Sequence, residues 1–241
     1  MVSTESRARL LQRTAGEVKR YRVTMQFIKA VIGVLIVAVT ITFVASALYS
    51  RTGNFTVGIN KFEFEEYGLT LSESPDFLEQ TSQLAAKAND NMNNISVNDL
   101  PYYIDNIDGS HNGVDYLAYT FYLKNAGTKT LTYVFQAMIV NVTNEVDTAI
   151  RIRVYRNGEY TDYAHTRSDG TGAEPGTTEF LNETIVCRTE ESNFMPGQVT
   201  KYTVVIWIEG DDPECVDARM GGTLKVSANM SVITDKVNEE P

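Results

Sequence analysis

Tryptophan occurs once in the 241 residues, cysteine twice, histidine twice and proline six times. Each scarcity closes off a class of chemistry. Two cysteines supply no Cys-x-x-Cys pair, and His111 and His165 stand 54 positions apart with no His-Glu-x-x-His between them. No Gly-x-Ser-x-Gly elbow and no phosphate-cradling Walker loop occurs either. Nor is there a basic stripe that could neutralise phosphates in a chain of net charge -10, which excludes nucleic acid as a partner. The expectation is a non-enzymatic protein.

Charge is distributed unevenly. Residues 1–29 hold seven Lys and Arg against Glu5 and Glu17, a net of +5, so the other 212 residues carry -15. Between these regions lies AVIGVLIVAVTITFVASALYS, residues 30–50, without one charge. As a helix it is about 31 Å long, close to the roughly 30 Å hydrocarbon thickness of a bilayer. The basic flank places residues 1–29 in the cytoplasm by the positive-inside rule, so 51–241 is expected to be exported as one extracellular domain. Ala45-Ser46-Ala47 has the small-x-small pattern of a signal-peptidase site, which puts cleavage between Ala47 and Leu48. The alternative is an uncleaved anchor, which holds the protein to the membrane through residues 30–50. In either case Cys187 and Cys215 face an oxidising compartment, and a disulfide is expected to close a loop of about 29 residues, contributing roughly 3–4 kcal/mol.

Beyond the span the hydrophobic period is two. Leu224, Val226, Ala228, Met230 and Val232 alternate with polar residues, the mark of a half-buried strand. Ile150, Ile152 and Val154 alternate with Arg151 and Arg153, then Asn157-Gly158 supplies a type I′ turn, so 148–163 reads as a hairpin. Strands are also expected over 55–59, 67–71, 116–124, 131–142, 180–188 and 199–209, the last two packed on both faces or interrupted by bulges. Ser74-Pro75-Asp76-Phe77 reads as a helix start, with the helix running to Lys87. These elements predict an all-β protein, an antiparallel β-sandwich of jelly-roll type, preceded by one hydrophobic helix.

Two loops merit a metal test. In IDGSHNGVDY, Ile107 to Tyr116, Asp108, Asn112 and Asp115 join Asp105 as hard oxygen ligands, a candidate calcium site. The EF-hand register fails: with Gly109 at its sixth position, Ile104 falls where the first carboxylate is needed. The competing reading is that these residues only shape a turn before the next strand. Glu209-Gly-Asp-Asp-Pro-Glu-Cys215 offers four carboxylates, expected as a solvated acidic turn beside Cys215. Trp207 is expected in the core. No other cofactor is implied.

The basic n-region, the long apolar segment, YTFYLKNAG with its Lys-Asn-x-Gly turn, and the W-x-E-G-x-D-P-E-C loop resemble the TasA/camelysin-like exported proteins of Gram-positive bacteria. Signal peptides of that family are cut by a SipW-type peptidase. The resemblance covers most of residues 30–232. It implies a jelly-roll ectodomain at the cell surface or in the biofilm matrix, with itself or other surface proteins as partners. For TasA it further implies assembly by a donated N-terminal strand, here Leu48 to Glu65, an extended segment that completes an open sheet edge. The alternative is a membrane-tethered adhesin or binding module that never polymerises. Camelysin's described metalloprotease activity has no zinc motif here to carry it.

Overall fold

The period-two runs pair into two sheets in the computed structural model, which describes residues 54–233 and, nearer the N-terminus, residues 20, 27–29, 31 and 32. The chain divides into two units, Met1–Arg51 and Thr52–Pro241, and the architecture below is that of the second. The six described residues of the first unit are helical; the rest of the expected span 30–50, and the cleavage point at Ala47 and Leu48, lie outside the described residues. Among the described residues no helix is long and apolar enough to cross a membrane.

The first sheet holds β1 (Phe55–Ile59), β3 (Gln83–Ala85), β7 (Leu131–Val142), β11 (Ile185–Phe194) and β13 (Leu224–Val232), in the order β11-β7-β13-β1-β3. The second holds β2 (Leu69–Ser72), β6 (Tyr116–Asn125), β8 (Ile150–Arg156), β9 (Glu159–Ala164), β10 (Thr178–Glu179) and β12 (Val199–Glu209), in the order β10-β9-β8-β12-β6-β2. Two short strands extend it: β4 (Asn94–Ile95) on β12 and β5 (Gly109–Ser110) on β6. Pairing is antiparallel except at β1–β13, β9–β10 and β4–β12. The expected all-β sandwich is therefore the architecture found, with few helical turns.

Alternation decides which side chains meet between the sheets. Val226, Ala228 and Met230 of β13 face Ile152, Val204 and Ile206 of the second sheet within one apolar cluster. Aromatic rings run through it, with Phe135 stacked on Tyr202 at 4.7 Å and Tyr202 on Phe121 at 5.5 Å. The hairpin predicted at 148–163 forms as β8–β9, with Asn157 and Gly158 both at positive φ, 51° and 92°.

Four expectations are corrected. The helix over 74–87 does not form. Asp76 Oδ1 accepts from Leu78 N–H at 3.1 Å, Phe77 takes φ 54°, and its ring packs under Tyr122 at 6.5 Å, after which 83–85 pairs with β1 as a strand. A short helix, α1 (Lys61–Tyr67), stands instead inside the segment read as extended, capped by Asn60 Oδ1 and ended by Gly68 at φ 70°. Gly68 is required there, since a Cβ would lie 2.5 Å from Gly127 N. The disulfide is also absent: Cys187 and Cys215 are free thiols. Cys187 is buried on β11 in the first sheet, while Cys215 lies in the loop after β12, its sulfur 3.5 Å from Asn94 Nδ2. The fold thus places one thiol in a buried strand and the other in a loop. Finally, β11 begins at Ile185 rather than 180, because Asn182 Oδ1 accepts from Thr184 N–H and Ile185 N–H and turns the chain first.

Candidate functional site

The second sheet is buried on its outer face as well as its inner one. Ala118 of β6, Tyr155 of β8, and Val205 and Trp207 of β12 form a second apolar cluster with Ile104, and Ile95, Val97 and Leu100 pack against it. Residues 94–111 therefore form a cover over the sheet. That explains why 199–209 lacks clean alternation; Arg151 and Arg153, which read as solvent-facing, are 3% and 9% exposed because Asp212 pairs with the first while Asp162 and the Tyr160 ring take the second. Trp207 is in the core as expected, its Nε1 donating to Glu209 Oε2 at 2.9 Å.

Of the four candidate calcium ligands, Asp105 and Asp108 lie in this cover and Asn112 and Asp115 just after it, each with its own protein partner. Asp105 Oδ1 accepts from the Thr203 hydroxyl at 2.6 Å, and its Oδ2 is 3.2 Å from Lys201 Nζ, which also donates to the Asp105 carbonyl. Asp108 accepts from the Tyr122 hydroxyl at 2.5 Å; burial, then that carboxylate, holds the phenol well above its ordinary value. Asn112 bridges the Lys87 carbonyl at 2.9 Å and Ala118 N–H at 3.1 Å. Asp115 accepts from the backbone and side-chain N–H groups of Asn93 at 2.9 and 3.0 Å. The structure does not bring the four together. Asp105, Asp108 and Asn112 act as separate pins to β6 and β12, and Asp115 ties the start of β6 to Asn93.

Oxygens do converge elsewhere. Among the described residues, carboxylate oxygens of Glu174, Asp212 and Glu214 lie within 4.8 Å of one another. The acidic loop 209–215 contributes two of them, but its charges are spent internally. Asp212 pairs with Arg151 at 2.5 Å, Glu214 Oε1 accepts from Ser168 N–H and its hydroxyl at 3.0 and 2.8 Å, and Glu174 takes Arg167 bidentately at 2.7 and 2.8 Å. Burial pushes the Asp212 carboxyl up, while its hydrogen bond with Asp212 and those with Ser168 hold Glu214 down at about 2. Two guanidinium groups balance most of the negative charge, so the arrangement is an ion-pair network that locks two loops. Asn125, in the YLKNAG turn, is another polar keystone that sequence reading missed. Fully buried, it donates to the Lys129 and Phe194 carbonyls, both at 2.8 Å, and accepts from Gly127 N–H at 3.0 Å.

The histidines are not brought into a shared metal site; the ring nitrogens of each lie against groups of the protein itself. His165 Nδ1 lies 2.9 Å from the Thr166 carbonyl and Nε2 3.2 Å from Glu183 Oε2. Burial alone pushes its pKa down, but the Thr166 carbonyl, Glu183 and Asp147 outweigh it and raise the value above 6.5. A raised folded-state value means that protonated His165 stabilises the fold below the unfolded value, and that this contribution is lost as pH rises through the folded value. Urea unfolding is therefore expected to show a fall in stability from about pH 6.5 upward. The step should be missing in His165→Gln; its survival there would assign it to another group.

No protein-family model matches this chain, and no curated protein does. Among solved structures, the chain is similar to a β-glucosidase from Kluyveromyces marxianus in complex with glucose, at 14% identity and a TM-score of 0.26 over 69% of this chain and 16% of the other. The selenomethionine-labelled form of that enzyme gives 13% identity and a TM-score of 0.27, with the same coverage. This chain thus spans about one sixth of the length of those proteins, and overlaps of that size and score carry no argument about fold or activity.

Proposed function

We propose that this is an exported, non-enzymatic protein of the cell surface or extracellular matrix that assembles with copies of itself by exchanging its N-terminal strand. The jelly-roll-like wiring and the membrane or secreted location implied by the TasA/camelysin resemblance belong to this reading. The observation that carries it is the placement of β1. It is the first strand of its unit, yet it lies inside the first sheet, parallel to β13 over five residue pairs, from Phe55↔Val226 to Ile59↔Met230. Phe55, Val57 and Ile59 are buried, and each such side chain contributes about 2 kcal/mol on burial. The following helix α1 has no fully buried residue, and Phe64 and Tyr67 pack only partly against the core, so β1 supplies most of the burial at this end of the chain. Contacts that β1 makes within one chain can be made identically with a neighbour, and α1 supplies the hinge.

The second reading, a tethered binding module that does not polymerise, draws on the outer edge of β1. Ile59 N–H donates to the Ser82 carbonyl and Ala86 N–H to the Phe55 carbonyl, both at 2.9 Å, so β3 already closes that edge. Electron microscopy separates the two. Protein beginning at Leu48 is expected to form fibres, whereas protein beginning at Tyr67 is expected to stay dispersed and to bind an added peptide of residues 53–60. Fibres from neither preparation, with no peptide bound, would rule out strand exchange.

A further inference from the structure

His111 has a backbone carbonyl at each ring nitrogen: Gly109 O lies 2.9 Å from Nδ1 and Ile104 O lies 2.8 Å from Nε2. A carbonyl oxygen only accepts, and a neutral imidazole carries a single N–H. The neutral ring therefore satisfies one carbonyl and turns a lone pair toward the other. Only the doubly protonated ring donates to both.

The two carbonyls bracket the part of the cover that carries Asp105 and Asp108, the pins to Lys201, Thr203 and Tyr122. His111 is itself fixed to the sheet, its N–H donating to the Ala118 carbonyl of β6 at 3.0 Å. The ring thus ties a 3-10 turn, Ile104–Asn106, to a sheet strand, and the number of ties it makes changes from one to two with its charge.

We propose that His111 is an acid-strengthened clamp that fastens residues 104–111 over the outer face of the second sheet when the ring is doubly protonated and loosens them when it is neutral. Several charged groups surround this segment. Asp105 and Asp108 belong to it, and Glu73 lies 3.4 Å from where a Cβ on Gly109 would stand. Lys87 donates its backbone N–H to Ser110 Oγ at 2.7 Å, and Lys201 reaches Asp105 from β12. All of them remain in a His111→Phe variant, which keeps a ring of similar shape but has no donor.

The test uses the full chain with its two histidines labelled with nitrogen-15, assigned through His165→Gln. In the acid form both ring N–H protons of His111 are expected to exchange slowly with water. Between about pH 8 and about pH 5.5, backbone amides of residues 104–111 are expected to gain about tenfold in protection, once intrinsic exchange rates are divided out. In His111→Phe that gain is expected to vanish. Rapid exchange of either ring proton, equal protection at both pH values in the unchanged chain, or a gain that survives in His111→Phe would each overturn the clamp. Should His111→Phe not fold, the ring-proton measurement on the unchanged chain decides alone.

Discussion

Asp212→Ala is expected to cost about 3–5 kcal/mol of unfolding free energy, because it leaves the Arg151 guanidinium buried without its counter-charge. The pair is 2.5 Å apart, with side chains 1% and 4% exposed, and the guanidinium also donates to the Ile150 carbonyl at 3.3 Å. The double replacement Arg151→Met with Asp212→Leu removes both charges, and is expected to lie within about 1 kcal/mol of the parent. Urea denaturation of the two variants measures the difference. A loss below about 1 kcal/mol in Asp212→Ala would show that the loop after β12 is held by Glu209 and Glu214 instead.

Phe55→Ala is the second large effect, about 3–5 kcal/mol for emptying a fully buried aromatic site. The Phe55 ring meets Tyr119 edge-on at 6.0 Å, so the cavity opens where β1 contacts the second sheet. Its effect on assembly differs in kind. If strands exchange between chains, the same contact is lost in the monomer and in the fibre, so their balance shifts little, while the open form that precedes exchange becomes easier to reach. Subunit mixing, followed by fluorescence transfer between labelled chains, is expected to speed up by more than tenfold. Unchanged mixing in a variant shown to be destabilised would mean that β1 stays in place during assembly.

Strand periodicity was legible wherever one face meets water. Leu224–Val232 follows the simplest rule, apolar inward and polar outward, and the Asn157-Gly158 turn closes the hairpin predicted over 148–163. The rule failed at Arg151 and Arg153. Their alternation implies solvent, but Asp212 pairs with the first while Asp162 and the Tyr160 ring take the second, and no local pattern announces a partner as distant in sequence as Asp212. Lys61–Tyr67 misled in another way, since Phe62 and Phe64 alternate with charged residues while Asn60 and Gly68, a helix cap at each end, decide the conformation. In IDGSHNGVDY the sequence shows which side chains offer oxygens, but whether four such groups face one ion or four separate partners depends on tertiary contacts. Cys187 and Cys215 likewise count as a pair in the sequence, and only the fold, which puts one in a strand and the other in a loop, separates them.

The parallel seating of β1 beside β13 also sets how the domain bears a mechanical load. Tension applied through the segment entering β1 and the segment leaving β13 pulls the two strands past each other along their length. Every slanted bond of the five-residue register then resists at once in shear, whereas an antiparallel pair loaded at one end opens bond by bond. Resistance to such a pull is a matter of unfolding rate rather than equilibrium stability. A domain tethered at its N-terminal side and loaded at its C-terminal side thus carries force along its strongest direction.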